Sequence, residues 1–272
     1  MPLPTYDSLA KAIDDLAGEK YFLKTNSIQN RGCLEAEEEG LNAIAATGTI
    51  GTVRLFGKGV DPQKGIAFLL MERIEPSMPK ADTWRVMGHE FAALHNADAA
   101  QFVQGGRYGF VHDNYIGASR QINTPKDKWV DFFRECRLEP QIKMAEHAFS
   151  PSVLKQVISL LDRLDDYLSE PAAPSLLHGD MWGGNHLVKK DGKVILIDPA
   201  AYVGHAEADL AMTQMFQPMH RDFYEGYFEI NPRMDGYEDR REIYNLYHML
   251  NHYNLFGGSY LTSAYHTIAY YA

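Results

Sequence analysis

Leu176-Leu177-His178-Gly179-Asp180-Met181-Trp182-Gly183-Gly184-Asn185, followed shortly by Val194-Ile195-Leu196-Ile197-Asp198-Pro199, decides how this chain folds. The apolar residues at either end read as two short buried strands. The segment between them concentrates polar chemistry in a loop. Asn185 lies five residues after Asp180, and Asp198 lies thirteen after Asn185. A loop Asp, an Asn five later and an Asp closing the next hairpin are what phosphoryl transfer requires. The first Asp orients the acceptor hydroxyl and takes its proton, while the Asn and the second Asp hold Mg²⁺ on the nucleotide phosphates. Amide and carboxylate oxygens suit that hard cation. Asp180 alone would be an ordinary turn residue; all three at these spacings between apolar strands are not.

Upstream, such a site needs a strand Lys for the phosphates and a helical Glu to hold it. Lys24 ends the strand-like Lys20-Tyr21-Phe22-Leu23-Lys24. Glu37 sits in Glu35 to Ala45, where Leu34, Leu41, Ile44 and Ala45 share one helical stripe. The acidic residues suit a first helical turn, and Glu35 competes with Glu37 for the Lys24 role. Ile50 to Phe56 and Gly65 to Glu72 read as strands. Glu72-Arg73-Ile74-Glu75 then resembles a hinge whose backbone groups at Glu72 and Ile74 would bond adenine. Pro76 and Pro79 mark a connector, so the expected division is residues 1–75 and 76–272. Beyond it, Thr83 to His95, Trp129 to Ala145 and Ser152 to Leu168 have helical spacing. The last long helix carries Ile243, Leu246, Tyr247, Leu250 and Asn254.

With 272 residues, 45% of them hydrophobic and 23% charged, the chain has the usage of an ordinary globular protein, not a disordered one. A formal net charge of −10 argues against a nucleic-acid or anionic-membrane partner. The longest apolar run, Ile66 to Met71, is far short of the ~20 residues that span a bilayer. Met1 to Tyr6 lack the basic and apolar regions of a secretory signal. Two cysteines, Cys33 and Cys136, fit free thiols in a reducing compartment, so the expectation is a cytoplasmic protein.

These residues together resemble the fructosamine kinases, or ketosamine-3-kinases, within the aminoglycoside-phosphotransferase and protein-kinase-like superfamily. The resemblance is carried by Tyr21 to Lys24, Glu35 to Leu41, Phe110 to Gly117, His178 to Asn185, Ile197 to Ala211 and Asn245 to Gly258, from about Asp7 onward. It implies an α+β, bilobal protein-kinase-like fold with a small β-rich N-lobe and a larger, mostly helical C-lobe. It also implies ATP and Mg²⁺ in the cleft, and phosphorylation of the 3-hydroxyl of fructosamines or ribulosamines, free or on glycated protein lysines. The phosphate then promotes spontaneous release of the free amine, which is deglycation. On this resemblance Asp180 is the base, Asn185 and Asp198 bind metal, and Lys24 with Glu37 positions phosphate.

Trp182 and His252 resemble the family's sugar-contacting residues, with packing roles as the alternative. His178 would support the loop. Asp209 would either brace it by accepting backbone N–H bonds or cap its own helix. Gly179 stands where phosphorylation-switched kinases carry Arg, so no such switch is expected. The family's Gly-Gly turn over the phosphates falls, by counting back from Lys24, near Thr5-Tyr6-Asp7-Ser8, where glycine is absent. The N-lobe is therefore expected to lack its first strand or to cover phosphate weakly. Two other readings stay open: a kinase for a different small hydroxylated metabolite, and a nucleotide-binding pseudokinase with a regulatory role.

Overall fold

A computed structural model describes residues 2–272. The N-terminal part opens with β1 (Thr5–Tyr6) and helix α1 (Leu9–Asp15). Strand β2 (Tyr21–Ser27) and helix α2 (Arg31–Thr47) follow, then β3 (Gly51–Thr52), β4 (Leu55–Asp61) and β5 (Ile66–Glu72). Four of these strands form one sheet in the order β1-β4-β5-β2.

Strand alternation gives this sheet two buried faces. Ala67, Leu69 and Met71 pack against Leu34 and Leu41 of α2. Phe68 and Leu70 pack against Leu9 and Ala12 of α1. Lys24 is paired with Leu69 across the sheet, so both face α2. Helix α1 has no side-chain cap of its own; Asp61 at the end of β4 accepts the Leu9 N–H at 3.1 Å.

Several expectations for this half need correction. The acidic run does not start a helix. Asn30 N–H bonds the Ser27 hydroxyl, a single 3₁₀ turn follows, and α2 already begins at Arg31, so Glu35 to Glu39 lie further in. Ala43 rather than Ala45 joins the buried stripe. The strand expected over Ile50 to Phe56 is two strands: Gly51–Thr52 pairs with Ile195–Leu196, whereas Leu55 onward pairs with β5.

Thr5–Tyr6 is not a phosphate-covering turn. It runs parallel to β4 at the edge opposite β2, because Gly57 and Gly59 leave room for it. A Cβ at Gly59 would stand 2.1 Å from the Tyr6 carbonyl oxygen. Strand β2 is left as the other edge of the sheet.

Residues 73–80 carry no regular structure and lead into α3 (Thr83–Asn96). The hairpin β6 (Asn114–Ile116) and β7 (Ser119–Gln121) precedes α4 (Trp129–Phe133). One π turn over Arg134–Leu138 joins α4 to α5 (Glu139–Ala145). Buried Arg137 lies there, 3.9 Å from the Tyr202 ring. The stretch expected to be helical from Ser152 to Leu168 breaks at Arg163 into α6 (Pro151–Asp162) and α7 (Leu164–Tyr167). Then come β8 (Ser175–Leu177), β9 (His186–Val188), β10 (Val194–Leu196) and β11 (Tyr202–Gly204). Four helices complete the chain: α8 (Ala206–Met212), α9 (Arg221–Ile230), α10 (Tyr237–Phe256) and α11 (Tyr260–Tyr271). The long helix over Ile243 to Asn254 is therefore not the last; Gly257, at φ +68, ends it before α11.

The two motif strands do not pair with each other. β8 pairs with β11, and β9 and β10 form a hairpin that takes β3 from the N-terminal half as its third strand. Ile44 and Ile50 accordingly pack into the C-terminal core, and Ile195 packs into the N-terminal one. The fold is α+β and two-lobed, with the Asp180 loop where the halves meet. No described helix is long and apolar enough to cross a membrane.

Candidate active site

The loop after β8 is held by hydrogen bonds that the sequence spacing does not display. The Asp209 carboxylate, buried in α8, accepts the backbone N–H groups of His178 at 2.6 Å and Gly179 at 2.8 Å. His205 caps α8 instead, its Nδ1 accepting from Glu207 N–H, so Asp209 is a brace and not a cap. Burial raises the Asp209 carboxyl, but His95 and the loop N–H donors outweigh it and hold the group below the usual carboxylate range.

Gly179 has φ +81, and a Cβ there would meet the Ala200 carbonyl oxygen at 2.0 Å. No other residue fits that backbone. His178 donates from Nε2 to the Ile197 carbonyl at 2.9 Å and accepts the Asp180 N–H at Nδ1. Burial lowers its pKa, in keeping with a neutral ring that ties the loop to the chain just before Asp198.

Asn185 Nδ2 donates to the Asp180 backbone oxygen at 2.7 Å and to Asp180 Oδ2 at 3.0 Å. Both of these bonds use the Asn185 amide nitrogen and not its side-chain oxygen. Desolvation pushes the Asp180 carboxyl up to about 7. Asp198 sits in the left-handed region at φ +54, a conformation that Asp tolerates better than most residues. Its Oδ1 accepts from Lys24 Nζ at 2.7 Å, and Glu37 Oε2 lies 2.6 Å from the same nitrogen. Burial raises Asp198, but the Lys24 charge and hydrogen bond prevail and hold it low. Burial also raises Glu37, with neighbouring Asp198 adding to the effect. Glu35 turns away to exposed Arg31, so Glu37 is the partner of Lys24.

Lys24, Glu37, Asp180, Asn185 and Asp198 line one cavity of about 870 Å³ together with Trp182 and His252. Trp182 is 41% exposed. His252 is held by a hydrogen bond from Nδ1 to the His248 carbonyl at 2.8 Å. Glu72 and Ile74 lie apart from this group. The Glu72 carboxylate pairs with Lys189 at 3.0 Å, and its N–H donates to the Arg54 carbonyl. The Ile74 N–H has no backbone partner among the described residues.

Residues 10–271 match the family model described as fructosamine kinase. The chain belongs to the fructosamine kinase family. A probable ketoamine kinase of Synechocystis is 40% identical over 250 residues, spanning 90% of this chain and 81% of that one. A chloroplastic protein-ribulosamine 3-kinase of Oryza sativa is 38% identical, spanning 90% of this chain and 70% of its own length. A crystal structure of a putative fructosamine-3-kinase from Haemophilus somnus superposes with a TM-score of 0.81 at 29% identity, covering 94% of this chain and 84% of that one.

Reading the sequence as a fructosamine kinase missed three aromatic residues at the mouth of the cavity. Phe216 lies 6.2 Å, between ring centroids, from Trp182 and 4.9 Å from His252; Tyr260 and Phe256 flank His252 at 5.2 and 5.8 Å. Phe256 stood inside the Asn245 to Gly258 block, but Phe216 is in irregular chain with no signal at all. Phe22, which is not among the residues lining this cavity, is 54% exposed, two residues before Lys24 on the same face of the edge strand β2. His112-Asp113-Asn114 is a structural turn: Asp113 accepts the Asn123 N–H, and Asn114 donates to the Ala201 carbonyl.

Proposed function

We propose that this chain transfers the γ-phosphoryl group of ATP to a hydroxyl of a ketoamine, the 3-hydroxyl of a fructosamine or ribulosamine on a small amine or a protein lysine. The phosphorylated ketoamine then breaks down to the free amine. The observation that carries this reading is the joint placement of the Asp180–Asn185 pair and the Lys24–Glu37–Asp198 chain in one cavity.

Asp180 is the proton acceptor. Asn185 fixes its carboxylate, and the buried Asp209 fixes the backbone on which it rides. Phosphoryl transfer is loose, so the carboxylate takes the hydroxyl proton late and needs no strong basicity. Lys24, tethered by Glu37, places a fixed positive charge where phosphate oxygens must lie in an otherwise acidic protein. The Asp198 carboxylate, half exposed to the cleft, and the Asn185 carbonyl are hard oxygen donors that fit Mg²⁺. When bound, that ion would neutralise charge on the transferring group. The Ile74 N–H is available for the edge of adenine, and Phe22 offers an apolar face toward its ring. Trp182 and His252, with Phe216, present ring faces and edges to the sugar carbons and hydroxyls.

Uncovered β2 supports one competing reading, a nucleotide-binding protein without turnover, because no hairpin lies over the phosphate side among the described residues. ADP release on ribulosamine and fructosamine substrates separates the two. Ketoamine-dependent release that vanishes in Asp180→Asn while nucleotide still binds supports the kinase. Undiminished turnover in that variant refutes the assigned base, and no release from any ketoamine refutes the reaction.

A further inference from the structure

The catalytic cavity is charged at one end only. Among the described residues, the charged side chains that line it are Lys24, Glu37, Asp180 and Asp198, all in the phosphate-transfer group. Lys24 is already shared by Glu37 and Asp198. The other wall comes from the loop after β8, the chain after α8, the end of α10 and the start of α11. It presents Trp182, Phe216, His252, Phe256 and Tyr260, and no Lys, Arg, Asp or Glu.

These rings are open to a ligand. Trp182 is 41% exposed, Phe216 42% and Phe256 71%. Large apolar side chains left in water together on one wall of a cavity mark a contact surface. Phe216 meets Trp182, His252 and Tyr260 at interplanar angles of 75°, 62° and 84°. In an edge-to-face pair one ring gives its edge and keeps its own faces free, and a ring face is the negative side of the quadrupole. His252 donates Nδ1–H to the His248 carbonyl, so its Nε2 is a bare acceptor, with no partner among the described residues. The ring is part-exposed, and burial lowers its pKa, in keeping with the neutral form.

A ketoamine brings two groups besides its sugar. Its nitrogen is a secondary amine, an ammonium near neutral pH. Its carrier is an alkyl stem when the amine is a lysine side chain, and a carbon bearing a carboxylate when the amine is the α-nitrogen of a free amino acid. Ring faces and a bare imidazole nitrogen suit the ammonium. A wall without a cation offers a carboxylate nothing in exchange for its lost water.

We infer that Phe216, His252 and Tyr260 hold the ammonium nitrogen of the ketoamine, that Phe256 covers the stem beyond it, and that the protein thereby selects ketoamines on lysine side chains over those on the α-nitrogen of free amino acids. This rests on the ketoamine reading above and adds the carrier to it. Trp182 stands two residues from Asp180, Phe216 touches Trp182 and His252, and Phe256 is the most exposed of the rings, so the sugar end points inward and the carrier outward.

Titration calorimetry on the full chain, with Mg²⁺ and a non-hydrolysable ATP analogue, reads binding whether or not phosphoryl transfer occurs. The probes are the ribulose adducts of Nα-acetyl-lysine amide through its ε-nitrogen, of glycinamide and of glycine; the last two differ only in the carboxylate. The glycinamide adduct is expected to bind about tenfold tighter than the glycine adduct, and the lysine adduct tighter still. Phe256→Ala should weaken the lysine adduct about fivefold and leave the glycinamide adduct within about twofold. Phe216→Leu, apolar but without a π-face, should weaken every adduct about fivefold, while Phe216→Tyr should bind as the parent does. Equal binding of the glycine and glycinamide adducts overturns the selection against a carboxylate. Unchanged binding of the lysine adduct in Phe256→Ala overturns the stem contact, and unchanged binding in Phe216→Leu overturns the ammonium site. The expected order of binding without ADP release overturns the proposed reaction and leaves the carrier site standing. ADP release without preference among the carriers does the reverse, and no binding of any adduct overturns both.

Discussion

Asp180 is held in the fold at an energetic cost that should be measurable as stability. Burial raises its carboxyl from an ordinary value of 3.8 to about 7. An acid whose pKa is higher in the folded state favours folding while protonated and loses that advantage as pH rises through the folded value. The penalty is therefore absent well below pH 4, grows between pH 4 and 7, and levels off above. At about 1.36 kcal/mol per pKa unit, the shift corresponds to about 4 kcal/mol at pH 8, about 1.7 at pH 5 and about 0.6 at pH 4.

Asp180→Asn removes the charge but keeps the shape and an acceptor for Asn185. Urea unfolding of both proteins at pH 4, 5, 6 and 8, with chelator present, should show the variant more stable at pH 8 by roughly 2–4 kcal/mol, the lower figure allowing for solvent relaxation around a site that opens on a cavity. The gain should shrink steadily toward pH 4, while ADP release is lost at every pH. A variant less stable than the parent at pH 8, or a gain that does not change with pH, would refute the reasoning that burial, rather than a missing partner, sets the state of Asp180.

Lys24→Met should abolish turnover and strand Glu37 without its cation, costing about 2–4 kcal/mol at pH 8 and less at pH 5, where Glu37 takes up a proton instead; unfolding at the two pH values checks the sign. Gly179→Ala forces a Cβ into the Ala200 carbonyl at a positive φ, so a loss of about 3 kcal/mol or more is expected in thermal or urea unfolding. Trp182→Ala, at a largely exposed ring, should cost under about 1 kcal/mol in stability yet raise the ketoamine KM about tenfold with the ATP KM unchanged. Steady-state kinetics in both substrates reads that split.

Much of the site was legible because phosphoryl transfer fixes residue types at fixed spacings. Asp180, Asn185 and Asp198 are brought together by a loop and a hairpin too short to place them otherwise. Lys24 and Glu37 are 13 residues apart in sequence, one on a strand and one on the next helix, and meet at 2.6 Å. Glu35 was indistinguishable from Glu37 until the face of α2 was known. Asp209 read equally well as a cap, because its role depends on donors some 30 residues upstream. Phe216 carries no signal, since an exposed aromatic residue in irregular chain has no local pattern.

The sequence by itself determined the two-lobed α+β architecture and the family, because periodicity and motif spacing are local properties of the chain. Only the tertiary structure decided where Thr5–Tyr6 goes. Two glycines in β4 admit that segment at the edge opposite β2, a choice set by steric room between residues 53 apart and invisible along the chain. The same holds for the union of β3 with β10, which joins the cores of the two lobes across the site. Long-range backbone pairing is chosen by the collective packing of both partners, and no single stretch of sequence records it.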